Sequence, residues 1–353
     1  MGFSDRLLGK SRTVPNGRPH IAAISPAAAL PGGEVRITGH GLKPPELARP
    51  SVRFGEEQGA IVISSDDFIV ARVPEDATSG QVTVSSNGHP SAPFEMKVAG
   101  MIAENMHPVT NPALDAHGNL FVTLSGSRGQ KTPVSIYKID TDYNIKPFLT
   151  DLMNATGMAF DHNGQMYVSS RYEGTVYRVT PAGSMKPFAG GMGVATGIAF
   201  DKAGDLYVGD RSGTIFKIAR NGETFVFATL EPSVSAYHLA FSPVGDLYVS
   251  GPTTSSFDSI YLINPRGEVR EFYRGLGRPQ GIAFDRAGNL YVAASHQGKR
   301  GIVQITPGRE VSLAVAGHNI VGLAFAPAKA MILATTTGVH YLSLGIEGMP
   351  LHG

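Results

Sequence analysis

The sequence predicts an all-β chain, a β-sandwich followed by a six-bladed β-propeller. Two observations carry that prediction. One segment pattern recurs six times between residues 101 and 346 at the spacing of a four-stranded blade, and the residues before it alternate as about seven short strands. The composition agrees: 43 Gly and 24 Pro among 353 residues suit many short strands joined by tight turns, and no amphipathic helical period is present.

The repeat aligns Asn111–Asp115, Gly157–Asp161, Gly197–Asp201, His238–Ser242, Gly281–Asp285 and Gly322–Ala326, whose last positions lie 40 to 46 residues apart. These are the expected innermost strands, a, of the blades. Leu-Tyr-Val segments such as Leu206–Val208 and Leu290–Val292 are strands b. Between a and b, Asp-x-x-Gly makes a tight turn, because Asp bonds the backbone two residues on and Gly takes the positive φ. Alternating segments such as Thr175–Val179 and Thr214–Ile218 follow as strands c. Strands d are marked thirteen residues before each following strand-a end, at Phe148, Phe188, Thr229 (with Phe227 close by), Phe272 and Leu313. The same offset before Asp115 falls on Ile102, and little chain remains after Val339–Leu344. Met101–Glu104 is therefore expected to supply strand d of the sixth blade, closing the ring and removing its exposed sheet edge.

Upstream, Pro19–Pro26, Pro31–Gly41, Ser51–Gly55, Ala60–Ile63, Phe68–Pro74, Gly80–Ser85 and Phe94–Val98 read as the strands of an immunoglobulin-like sandwich. Val98 lies four residues before Ile102, so the two domains are expected to sit against each other. The expected boundaries are a flexible tail at 1–17, the sandwich at 18–98, the propeller at 99–346 and a short tail at 347–353.

Charge and composition exclude several function classes. Thirty Lys and Arg against 29 Asp and Glu leave a net charge of +1, too little for a dedicated nucleic-acid or polybasic membrane binder. Without Cys there is no disulfide, thiolate metal site or thiol nucleophile. No apolar run approaches the ~18 residues of a membrane span. Met1–Gly17 is polar and basic without the apolar core of a secretory signal, so a cytoplasmic location and a monomer are the default expectations. No Gly-x-Ser-x-Gly, phosphate-binding loop or His-Glu-x-x-His motif is present.

On Ile-Ser-Pro, Pro31-Gly-Gly-Glu-Val-Arg-Ile-Thr-Gly-His-Gly41, Val-Arg-Phe-Gly and the closing Val-Pro, residues 19 to 98 resemble the IPT/TIG immunoglobulin-like family. On Gly-Ile-Ala-Phe-Asp-x-x-Gly-x-Leu-Tyr-Val, residues 101 to 345 resemble NHL-type propellers and the related gluconolactonase superfamily. The first resemblance implies adhesion, interdomain support or nucleic-acid contact, and NHL propellers imply a protein, peptide or RNA ligand on one face. The gluconolactonase branch implies a divalent metal such as calcium, held in the central funnel by Glu, Asn and Asp just before the strand-a Gly. Those positions here are Thr110, Thr156, Thr196, Tyr237, Gln280 and Val321, and none is acidic. A hard cation lacks its carboxylates in such a set, so no cofactor is expected outside a lactonase reading.

Length variation in the b–c loops, from 6 to 14 residues between flanking apolar positions, places a ligand on the face shared by the b–c and d–a connections. The candidate ligand-binding set on that face is Thr110, Thr156, Thr196, Tyr237, His238, Gln280, Asn319, Arg171, Arg211 and His296. His238 stands out because it replaces the usual strand-a Gly. Arg171 and Arg211, with Lys299 and Arg300, form a possible basic rim for a phosphate, carboxylate or RNA backbone. His107, His238, His296 and His318, with Glu104, lack metal-ligand spacing, and the Asp of each Asp-x-x-Gly reads as a turn residue rather than a calcium ligand. The preferred reading is a non-catalytic binding protein for a protein, peptide or small-molecule ligand. The alternatives are a metal-dependent lactone hydrolase with a rearranged ligand set and, below it, RNA or anion binding.

Overall fold

Every regular element in the computed structural model is a strand; the model describes residues 18–44 and 49–350. The expected tail at 1–17 lies outside the described residues. In the sandwich, His20–Ser25, Glu34–His40, Phe68–Arg72 and Glu57–Ser64 lie side by side. A register shift between Ile61 and Ile63 accompanies the passage of Glu57–Ser64 to Ser51–Phe54, which continues through Gly80–Ser86 to Phe94–Val98. Val35, Ile37, Val52, Phe54, Ile69, Val84 and Met96 fill the space between, as strict alternation requires.

The repeats fold as four-stranded antiparallel units with strand a innermost. Their a strands are Ala113–Leu114, Ala155–Phe160, Ala195–Phe200, His238–Phe241, Ile282–Phe284 and Ile320–Ala326. The first is shorter than its repeat suggests because Pro112 has no N–H to donate. Six separate blades were the expectation, and five of the units are separate four-stranded sheets. The fifth repeat, from Ile282–Phe284 to Val311–Ala316, instead runs on into the sandwich as part of a 13-stranded sheet. The joint is the two-residue strand Ala28–Ala29, which lies parallel to both Phe94–Val98 and Val311–Ala316. Leu30 N–H donates to Ala316 O at 2.8 Å, and Leu30 and Ala99 pack into the propeller core with Ile302 and Val315. The two domains therefore share hydrophobic surface as well as sheet.

Blade-to-blade packing repeats with the sequence. In the first four blades the strand-b aromatic stands edge-on to a strand-d Phe of its own blade and a strand-a Phe of the next: Phe121 with Phe148 and Phe160, Tyr167 with Phe188 and Phe200, Tyr207 with Phe227 and Phe241, Tyr248 with Phe272 and Phe284. In the third blade the packing residue is Phe227, not Thr229, because the connection to the fourth blade is longer. The Asp-x-x-Gly reading holds: Asp115 Oδ1 accepts the N–H of His117 and Asn119, and Gly118 takes φ +81°.

Gly100–Glu104 pairs antiparallel with Gly338–Ser343 as the outermost strand of the last blade, so the chain start of the propeller closes the ring. Ala103 is buried among Met106, Leu114 and Val339, whereas Met101 is half exposed. Past the last blade strand, Arg286 N–H donates to Glu347 O and Asp285 bridges Gly348, so residues 347–350 of the expected tail lie docked beneath the fifth blade. Ala103→Asp, which buries a carboxylate in the closing seam, is expected to cost about 3 kcal/mol or more in chemical denaturation. Met101→Asp on the same strand is expected to stay within about 0.5 kcal/mol; equal effects would remove the closing role of this strand.

Candidate functional site

Strand a ends its sheet in every blade, so its free backbone edge faces the axis. At the strand-a start the six ring positions are Asn111, Gly157, Gly197, His238, Gly281 and Gly322. Neighbouring backbones approach so closely there that a Cβ on Gly281 would sit 2.5 Å from Gly322 Cα, and one on Gly157 would sit 2.9 Å from Ile198 N. Only Asn111 and His238, in the opposed first and fourth blades, carry side chains. The Asn111 amide reaches to the fifth and sixth blades: Nδ2 donates to Ile282 O at 2.8 Å and Oδ1 accepts Leu323 N–H at 3.1 Å.

One step outward, two of the hydroxyls expected to greet a ligand, those of Thr110 and Thr196, are engaged in fastening blades, while Thr156 Oγ1 donates to Asn154 O of its own blade at 2.9 Å. Thr110 Oγ1 donates to Thr156 O at 2.7 Å, and Ser169 Oγ donates to Thr196 O. Thr196 Oγ1 accepts Tyr237 N–H at 3.1 Å and donates to Gly209 O at 2.7 Å. Ser250 Oγ donates to Gln280 O, and Gly281 N–H donates to Val321 O. With the Asn111 bonds, every blade is tied to the next. Thr110, Thr156, Thr196 and Tyr237 are buried, and the Tyr237 hydroxyl donates to Glu231 O.

These bonds close the hub toward the b–c and d–a loops. The central cavity, about 610 Å³, accordingly opens on the opposite face, at the a–b turn Asp201–Ala203 and the c–d turn Asn264–Pro265, with Met349 and Pro350 at its mouth. Of the six pre-Gly positions only Thr110 touches it. This cavity thus opens away from the variable-loop face on which the loop lengths placed a ligand, because the fastening bonds occupy that end. The walls are apolar, from Met158, Ile198, Leu239 and Leu323 among others.

His238 lies at the floor of this funnel, 2% exposed, with Nε2 buried and without a hydrogen-bond partner. Burial pushes its imidazole down to about 3, so the ring is neutral and carries one donor and one acceptor nitrogen. Asn111 spends its amide on the neighbouring strands, which leaves His238 as the unused polar side chain at the floor.

The remaining candidates lie elsewhere. Gln280 and Asn319 share a recess of about 230 Å³ on the variable-loop face with Arg278, Ser295 and Arg300. Arg171 and Arg211 stand together in the second and third blades, apart from Lys299 and Arg300 in the fifth. His296 lies 6.5 Å from the Tyr273 ring, and His107 Nδ1 meets Thr336 O at 2.9 Å. Among the described residues no three His, Asp or Glu come together in metal-binding reach. The funnel is lined by one carboxylate, Asp201, whose oxygens accept Asp205 N–H and the Tyr207 hydroxyl. Its residues do not fit a divalent cation. Sequence reading missed Asn111, although its signal was visible: besides His238, it is the strand-a start without Gly.

Residues 19–96 match the model of the IPT/TIG domain. No curated protein matches the chain. Among solved structures it is similar to an auxiliary nutrient binding protein from Bacteroides thetaiotaomicron, with 12% identity, TM-score 0.54, and 93% of this chain and 98% of that one covered. It is also similar to a gluconolactonase from Xanthomonas campestris, with 16% identity, TM-score 0.56, and coverage of 69% and 88%. A virginiamycin B lyase from Staphylococcus aureus gives 14% identity, TM-score 0.51, and coverage of 94% and 97%. Identities this low establish a shared fold and leave the chemistry open.

Thr196→Val keeps the shape of the side chain but orphans the buried Tyr237 N–H. It is expected to cost about 2 kcal/mol of stability by denaturant titration, while Thr224→Val, at an exposed strand start, changes little. Equal stability of the two variants would contradict the fastening role.

Proposed function

We propose that this protein is a non-catalytic binding protein that takes a small, largely apolar molecule bearing one hydrogen-bonding group into the central funnel. The observation that carries this reading is the unpaired Nε2 of His238 at the floor of an apolar cavity. A buried polar atom without a partner calls for one, and a bound ligand or water supplies it. Volume, apolar walls and a single polar anchor are the usual features of small-molecule sites. The nutrient-binding name of one structural relative agrees with this reading.

A catalytic reading has less behind it. Besides His238, the ionisable groups of the funnel lie toward its mouth, Asp201 and Lys202 in a turn and the Tyr207 phenol on a strand, and none pairs with the imidazole. General acid–base work needs a second positioned group, and lactone polarisation by a metal needs several carboxylates, of which this funnel has one, Asp201.

Titration with 1-naphthol, a neutral bicyclic probe with one hydroxyl, tests the assignment. His238→Phe retains bulk and removes the nitrogen, so it is expected to weaken probe binding about tenfold. Methyl NMR shifts on Ile198, Leu239 and Leu323 are expected to report the contact. Binding that is unaltered by His238→Phe, or shifts confined to the b–c loops, would overturn the assignment.

A further inference from the structure

A second site stands on the variable-loop face, away from the funnel mouth. Arg171 and Arg211 follow strand b at the same place in the neighbouring second and third blades, and Arg128 lies two residues beyond Gly126, whose carbonyl Arg171 bonds. None of the three makes an ion pair among the described residues. Backbone carbonyls orient Arg171 and Arg211 instead. Arg171 Nη2 donates to Gly126 O at 2.5 Å, and Arg211 Nη2 donates to Val234 O at 2.9 Å. Arg171 Nε is buried without a partner, and so is the Oγ of Ser125, next to the Gly126 carbonyl.

Three acids close to these arginines or their loops in sequence are committed to other groups, while Glu231, two residues before Ser233, keeps its carboxylate exposed. Asp151 pairs with Lys131 at 2.6 Å, and the Glu173 carboxylate accepts the Tyr177 hydroxyl. Asp210 accepts Val194 N–H at 2.8 Å and the Ser212 hydroxyl. Burial, followed by the charges of Arg211 and Arg128, pushes the Arg171 guanidinium below its ordinary value, and no carboxylate contributes in the other direction. The guanidinium stays protonated, so this part of the face holds concentrated positive charge on a chain of net charge +1.

We propose that Arg128, Arg171 and Arg211 form a binding site for a small multivalent oxyanion, a molecule carrying two or more phosphate or carboxylate groups. The planar guanidinium fork suits such groups. A buried Nε–H without an acceptor is the donor that an oxyanion oxygen satisfies, and three cations from three blades suit a ligand with more than one charged group. The site is independent of the funnel. A long nucleic-acid backbone fits less well, because three arginines on a near-neutral protein give a short footprint.

Calorimetric titration with pyrophosphate and with citrate tests this on the full chain. Binding of at least one probe is expected, with affinity falling as salt rises. Because Arg171 also holds the Gly126 loop, the informative variants are Arg128→Gln and Arg211→Gln, each expected to weaken binding about tenfold. Arg53→Gln in the sandwich is expected to leave it unchanged. The proposal fails if neither probe binds, if the three variants behave alike, or if a single-stranded oligonucleotide displaces the small anions at physiological salt.

Discussion

At the hub, six inner strands come so near the axis that four of six ring positions tolerate only glycine, and the groups beside them fasten each blade to its neighbour. Free strand edges at the centre of a propeller present N–H and C=O groups that must be paired or hydrated. Thr110, Ser169, Thr196, Ser250 and Asn111 supply hydrogen-bonding groups across the seams, so the ring is held by directed bonds as well as by the aromatic triplets farther out. The outer end of the same ring is held by Gly100–Glu104, the one strand that comes from the far end of the propeller sequence.

That arrangement assigns the two faces different tasks. The end toward the b–c and d–a loops is shut by the fastening bonds, and a recess of about 230 Å³ and the arginine group lie on that face. The end toward the a–b and c–d turns stays open as a deep apolar funnel whose floor is formed in part by Asn111 and His238. These residues occupy opposite poles of the glycine ring, and their side chains differ in one respect: the amide is satisfied by neighbouring strands, while the imidazole nitrogen is free. The funnel reading rests on that difference.

Much of the fold was legible because it follows from local chemistry repeated many times. A turn such as Asp115–Gly118 needs Asp and a positive-φ Gly wherever it occurs, and the Phe–Tyr–Phe triplets need aromatics at fixed offsets, so both leave periodic traces. The closing strand was legible from a missing fourth strand at the other end. The merging of the fifth blade with the sandwich was not, because a two-residue strand at Ala28–Ala29 has no periodicity. The site was harder. Thr110, Thr156 and Thr196 are the polar residues that a ligand-lined hub also displays, and which atoms their hydroxyls meet depends on the distance between blades. Asn111 was aligned with the glycines but its reach to the fifth and sixth blades is a matter of tertiary geometry. The grouping of Arg128 with Arg171 and Arg211 likewise joins residues forty or more positions apart in sequence.

The protonation behaviour of His238 is the most direct measure of whether the hub is built this way. A His at about 3 in the fold, against about 6.5 in an unfolded chain, binds its proton preferentially when unfolded. Its contribution to stability is therefore full above pH 6.5 and declines as pH falls toward 3, at on the order of 1.4 kcal/mol per pH unit. Nitrogen-15 NMR of the imidazole between pH 7.5 and 4.5 is predicted to show a neutral ring throughout the folded state. A titration midpoint near 6.5 would place His238 in contact with bulk water and contradict the buried, unpaired anchor at the funnel floor.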